Sequence, residues 1–182
     1  MADTDIECLK AAIARHWTYL PDEKVQRYVG KFFDATRLGT KIAAQVEGNH
    51  GIYRVTLEVQ GSRLFSACSC YIGKHGSCHH CHALGLTFLA HPEHFTVLKT
   101  RLLEDVHALS DLEEYLRGVT LDELVDQLKA RGITQKAFAA SIGMSTQHLA
   151  AVKASERRNR YFHELGALKL ACLWVLTHFG ED

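Results

Sequence analysis

Between residues 68 and 82 the chain reads Cys68-Ser-Cys70-Tyr-Ile-Gly-Lys-His75-Gly-Ser-Cys78-His79-His80-Cys81-His82, so four of its six cysteines and four of its twelve histidines fall within fifteen residues. Nothing else in the sequence restricts the fold as tightly, because soft donors at that density must either be bridged, ligated or packed away. The N-terminus, MADTDIECLK, is acidic and lacks the basic-then-apolar order of a secretory signal. That predicts a cytoplasmic chain, where thiols stay reduced and clustered cysteines serve metals before disulfides. Cys8 and Cys172 lie far from the cluster and read as small apolar residues.

A structural zinc ion takes four thiolate or imidazole ligands in a tetrahedron. Cys68 and Cys70, at the end of a strand, can reach one ion only if the chain bends there. The loop 71–77 carries two glycines that allow the return, and Cys78 with a nearby histidine completes the set. On a regular helix Cys78, Cys81 and His82 share a face, whereas Cys78 and His80 converge only if the helix starts between them. The residues alone leave His80, His82 and Cys81 open as the fourth donor.

The pattern C-x-C, seven residues, C-x-H, followed by Cys-His-Ala-Leu, resembles the SWIM zinc finger. The resemblance covers about residues 40–90, with strands before the first cysteine and a helix after the histidine. It implies that Cys68, Cys70, Cys78 and His80 hold one structural Zn2+, and that the module interacts with DNA or with protein. A catalytic metal would need an open position and a general base. Glu58 and Glu93, the nearest acids, sit in no catalytic motif, and no enzyme activity is expected.

The fold class predicted around this cluster is α+β. Apolar residues Ile6, Leu9, Ile13 and Trp17 mark a helix, and Asp22 is positioned to cap a second one through Val25, Val29 and Phe33. A β-rich stretch places strands at Ile42–Val46 and Ile52–Val59, the latter with period-two alternation, and the turn Gln60-Gly61-Ser62 leads into a third, Arg63–Ala67. Helices are predicted over Ala83–Ala90, then from Pro92 through Leu98, Leu102, Leu103 and Val106, then from a capping signal at Ser110 and Glu113. Past Gly118 the pattern is wholly helical, with Thr120, Thr134 and Ser145 as N-caps, each flanked by apolar residues at staple spacing. The expected domains are therefore 1–118, holding the metal module, and 119–182.

Residues Gln135 to Ala154 place Ala139 where two helices would cross, Gly143 at a turn, and Phe138, Ile142, Met144, Leu149 and Val152 at packing positions. This segment resembles the helix-turn-helix of phage-repressor-like (Cro/C1-type) regulators, which implies double-stranded DNA as partner and a phosphate contact at Gln135. Lys+Arg and Asp+Glu both number 21, so a uniformly basic coat is excluded. The cations are nevertheless segregated. Between Lys129 and Arg160 seven basic residues face one acid, a net of +6 against −6 elsewhere. If the second helix enters the major groove, Ser145, Thr146, Gln147 and His148 meet base edges, Gln147 being suited to adenine. Lys136, Lys153, Arg157, Arg158 and Arg160 are then expected on phosphates.

The last apolar stretch, Glu164 to Phe179, fits docking on the metal domain, a homodimer, or equally the core of a compact bundle. No apolar run reaches the roughly 18 residues of a membrane span. The sequence thus leads to a DNA-binding transcriptional regulator of bacterial or phage type with a zinc finger. The alternative is an adaptor whose zinc module binds a protein partner in a DNA-processing complex.

Overall fold

The computed structural model describes residues 2–73, 77–98, 105–159 and 164–179, and the chain divides into two compact units, Met1–Lys99 and Thr100–Asp182. The architecture is α+β, with a sheet and its helices in the first unit and helices alone in the described part of the second.

In the first unit, α1 (Ala2–His16) and the single turn α2 (Glu23–Gln26) precede strands β1 (Phe33–Leu38), β2 (Lys41–Gly48), β3 (Gly51–Gln60) and β4 (Arg63–Cys68). Helix α3 (His79–Ala90) follows, then a 3-10 turn at Pro92–His94 and the two-residue β5 (Thr96–Val97). The sheet order is β4-β3-β2-β1-β5. The first four strands form an antiparallel meander, while β5 lies parallel to β1 after α3 has carried the chain across.

The alternation read in β3 is the alternation of burial, and β2 shares it: Ile42, Ala44 and Val46 of β2 and Val55, Leu57 and Val59 of β3 enter one core. Leu9, Ile13 and Trp17 from α1 and Leu84 and Phe88 from α3 complete it. Each such side chain taken from water contributes about 1.5–3 kcal/mol, so this cluster holds the helices on the sheet. Helices α1 and α3 approach closely at Gly85, where an added Cβ would lie 3.0 Å from both Ile13 and Trp17. Thr87 ties α3 to the α2–β1 loop by accepting the Gly30 N–H at 2.9 Å.

Two expectations for this unit change. Asp22 does cap α2, accepting the Val25 N–H at 2.8 Å, but the helix does not reach Phe33. Gly30 takes a φ of 75° and turns the chain into β1, whose first residue is Phe33. Pro92 opens only the 3-10 turn, after which Thr96 and Val97 pair with Thr36 and Arg37. Leu102 and Leu103 of the helix expected there lie outside the described residues.

The second unit holds α4 (Leu109–Gly118), α5 (Leu121–Ala130), α6 (Gln135–Ser141), α7 (Thr146–Arg157) and α8 (Leu165–His178). The three predicted caps are in place. Thr120 accepts the Glu123 N–H at 3.2 Å while the Glu123 carboxylate accepts the Thr120 N–H at 2.6 Å, a reciprocal capping box. Thr134 accepts from Ala137 and Ser145 from His148, both at 3.1 Å. Helix α4 starts one residue ahead of Ser110, and Asp111 rather than Glu113 accepts its leading amides, from His107 and Ala108. The unit boundary precedes α4 instead of falling at Gly118, because Tyr115 and Leu116 pack on the helical core. The Lys169 ammonium also donates to the Leu116 and Val119 carbonyls at 2.9 and 2.7 Å. That core consists of Leu121, Leu124, Val125 and Leu128 of α5, Phe138 and Ala139 of α6, Leu149 and Val152 of α7, and Leu168, Cys172, Leu173 and Leu176 of α8. Gly143, at a φ of 71°, turns α6 into α7 as the spacing requires.

Candidate metal centre and helical face

Four donors converge where the sheet meets α3. Cys68 closes β4 opposite Val55, and the chain bends over Ser69 and Cys70. Ser69 still pairs with Arg54, donating its N–H to the Arg54 carbonyl at 3.0 Å and accepting the Arg54 N–H on its hydroxyl at 2.9 Å. That pairing sets Cys68 and Cys70, two residues apart, beside each other. The loop then folds directly over Cys68: an added Cβ at Gly73 would lie 2.4 Å from Cys68 Cβ, so only glycine fits. Cys78 is the N-cap of α3 but makes no capping bond with its side chain, leaving its sulfur for the cluster. His80, the second residue of the helix, brings Nδ1 to 3.7 Å from both Cys68 Sγ and Cys78 Sγ.

The donor atoms of Cys68, Cys70, Cys78 and His80 all lie within 4.8 Å of one another. Around a zinc ion with bonds of roughly 2.0–2.3 Å, the edges of the tetrahedron are about 3.6–3.8 Å. The 3.7 Å sulfur–nitrogen separations match those edges. Cys68, Cys70 and His80 are buried and Cys78 is half-buried. Backbone amides point at two of the sulfurs, Gly73 N–H to Cys70 at 3.1 Å and Cys70 N–H to Cys68 at 3.5 Å, an arrangement that favours thiolate over thiol. Hydrogen bonding to Cys78 and then burial push the Cys68 thiol up, and the same pattern raises Cys81. Bonds from Cys68 and Cys81 hold Cys78 low. Crowded sulfurs resist ionising together, and a divalent cation among them would let every ligand thiol ionise. The cluster fits a metal ion.

Of the donors left open by spacing, His80 is the one that stands with the three cysteines. His82 is buried on another side of α3, stacked on Trp17 with centroids 5.0 Å apart and planes at 7°, and touched edge-on by Tyr19. Burial lowers its pKa, so it stays neutral, and its Nδ1 has no hydrogen-bond partner among the described residues. His79 stacks on Tyr28. Cys81 stands outside the set of four with its sulfur 3.7 Å from that of Cys78. His75 lies outside the described residues.

Compared with known proteins, the chain matches no family model, no curated protein and no solved structure. Function must therefore come from the sites themselves.

A second donor group escaped the sequence reading: His91, Glu93 and His94, all exposed around the 3-10 turn. Glu93 sits 3.1 Å from His91 Nδ1 and 3.8 Å from His94 Nε2. The two imidazoles stack at 9°. Lone pairs lying in parallel ring planes cannot meet at one ion, so the trio is a shared-carboxylate pair rather than a metal cage.

In the second unit the residues expected on DNA separate into groups. Thr146 and Gln147 are exposed on the first turn of α7, with Ala150 and Ala151 exposed beyond them. Ser145 is committed as the cap. His148 is half-buried, its Nε2 3.8 Å from Glu164. Gln135 accepts from the Lys153 ammonium at 3.3 Å.

The cations are less segregated than their order implies. Lys153, expected on a phosphate, is 8% exposed and salt-bridged to Asp122 at 2.7 Å, so it belongs to the interior. Arg157 is exposed but also engages Asp122, through Nε at 2.5 Å and Nη2 at 3.3 Å. Lys129 pairs with Asp126, and Arg131 donates to the Leu176 carbonyl. Lys136 and Arg158 are exposed and enter no ion pair among the described residues; Arg160 lies outside them.

Proposed function

We propose that this chain is a sequence-specific DNA-binding protein, a transcriptional regulator of bacterial or phage type, in which Cys68, Cys70, Cys78 and His80 hold one structural zinc ion and α7 reads the major groove. The observation that carries the reading is the outer face at the start of α7. Thr146 and Gln147 project there beside the small side chains of Ala150 and Ala151, with the helix cap already supplied by Ser145. No acidic residue occurs between Asp126 and Glu156. Glu164 does approach this turn, 3.8 Å from His148 Nε2, but the slender side chains at the helix N-terminus leave phosphates and base edges room to approach. Lys136 on α6 and Arg158 at the C-cap of α7 are exposed cations available to phosphates. Three thiolates and an imidazole favour zinc, and four protein ligands leave no open position for a substrate.

The deciding experiment is selection from random duplex DNA with the full chain at moderate salt. Enrichment of one site, lost with Gln147→Ala, supports the reading; no enrichment refutes it. The alternative is an adaptor that binds a protein partner through the zinc module. With no DNA site enriched, that reading takes precedence.

A further inference from the structure

We propose that Cys81 is the resolving thiol for a peroxide-formed disulfide with Cys78, and that this bond dismantles the metal centre; the proposal rests on the reading of the cluster as a metal site. Cys78 and Cys81 are the N-cap and third residue of α3, with sulfurs 3.7 Å apart. Side chains three apart on a helix have Cβ atoms about 5–6 Å apart, whereas a disulfide holds them at about 3.5–4.5 Å. Bond formation therefore brings the sulfurs to about 2.05 Å by side-chain rotation together with a small closure of the chain at Cys78, the extended N-cap.

Burial orders the chemistry. Of the thiols in this cluster, Cys68, Cys70 and Cys81 are buried and Cys78 is half-buried, so a small hydroperoxide meets Cys78 first. In the first step Cys78 Sγ attacks hydrogen peroxide, the O–O bond breaks, and a sulfenic acid and one water form. In the second, Cys81 Sγ attacks Cys78 Sγ, the S–O bond breaks, and the hydroxyl leaves with the Cys81 proton as a second water. Two thiols lose two electrons and one peroxide is reduced to two waters. Cys81 is suited to the second step because, with Cys68, Cys70 and Cys78 as ligands, it is the neighbouring thiol that no metal would occupy. The product removes one of the four donors at the N-terminus of α3, so the ion is released and the helix start loses its tether to the sheet.

The test uses the full chain loaded with zinc, its metal content measured before oxidation. Hydrogen peroxide is added at a few equivalents per chain. Zinc release is followed with a chromophoric chelator, and disulfides are mapped by mass spectrometry after alkylation. The expected result is a Cys78–Cys81 disulfide rising in step with released zinc. Cys81→Ala should keep its zinc before oxidation and form no disulfide at Cys78, which is recovered instead as the sulfenic acid or its higher oxides. Wild-type mapping is independent of whether that variant folds. A disulfide to Cys68 or Cys70 in the wild type, or zinc release with no Cys78–Cys81 disulfide, would overturn the proposal alone. Absence of metal before oxidation would remove the centre and the proposal together.

Discussion

Replacing Asp122 with Ala is expected to destabilise the helical unit far more than replacing the lysine it pairs with. Lys153 carries its ammonium inside the unit, 9% exposed at the side chain, with the Asp122 carboxylate at 2.7 Å and the Gln135 amide oxygen at 3.3 Å. Removing Asp122 strands that charge. Breaking a buried pair this way costs about 3–5 kcal/mol, and because Asp122 is itself 29% exposed the low end applies, about 3 kcal/mol. For a unit of this size that corresponds to a melting shift of roughly 12–24 °C. Lys153→Met removes the charge and keeps the stem, leaving Asp122 to Arg157, and is expected to stay within about 1 kcal/mol of wild type. The double variant should recover most of the loss. Urea denaturation followed by helical circular dichroism on all three variants gives the comparison. Equal losses from Asp122→Ala and Lys153→Met, or a double variant no better than Asp122→Ala, would refute the buried-pair account. The DNA assay adds a second check, because an interior lysine contacts no phosphate and Lys153→Met should leave the salt slope unchanged.

Burial raises the Asp122 carboxyl, but bonds from Arg157 and Lys153 outweigh it and hold it below the usual value; its contribution is therefore present above about pH 4 and fades as pH falls through the folded value, so the gap between wild type and Asp122→Ala should narrow in acid melts. Cys68→Ser, Cys70→Ser, Cys78→Ser and His80→Ala should each lose zinc by elemental analysis while His82→Ala retains it; the reverse behaviour of the two histidine variants would move the fourth ligand. Lys136→Ala and Arg158→Ala should weaken binding to all DNA alike and reduce the salt slope by about one each, whereas Gln147→Ala should cost about 1–3 kcal/mol on the selected site alone, as read by fluorescence anisotropy across salt. Gly85→Ala forces Ile13 and Trp17 apart and should cost about 1–3 kcal/mol in denaturation of the sheet unit.

What could be read from the sequence was whatever depended on neighbours along the chain. Period-two alternation located β3, the β-rich stretch and the turn around it located β2 and β4, and Thr120, Thr134 and Ser145 located three helix starts, because cap and helix are separated by a few residues. Strand β1 was hidden because Val25, Val29 and Phe33 repeat at helical spacing while the turn at Gly30 divides them between a short helix and a strand. Spacing narrowed the metal ligands to a few donors but could not choose among His80, Cys81 and His82. The choice depends on Cys78 sitting at the N-cap, which sends His80 toward the sulfurs and His82 toward Trp17. The basic run failed differently. Counted along the chain its acids are nearly absent, yet Asp122 of α5 folds against it and neutralises Lys153 and Arg157, while Asp126 pairs with Lys129 three residues on in the same helix. Lys169 was equally illegible: inside an apolar helix it serves Glu156 and the carbonyls that end α4.

The strand order carries a consequence for the nascent chain. Strand β1 leaves the ribosome with one side bonded to β2, and its other side stays open until β5 is made, after α3 has crossed the sheet. The donors that would fasten α3 stand at the opposite margin, beside β4. With a metal in place, α3 would be fastened at one margin while it delivers β5 to the other. A chain in which α3 is not fastened presents the bare side of β1 as a template for other strands. Metal starvation in the growing cell should accordingly appear first as aggregated newly made protein, while chains completed earlier remain dispersed.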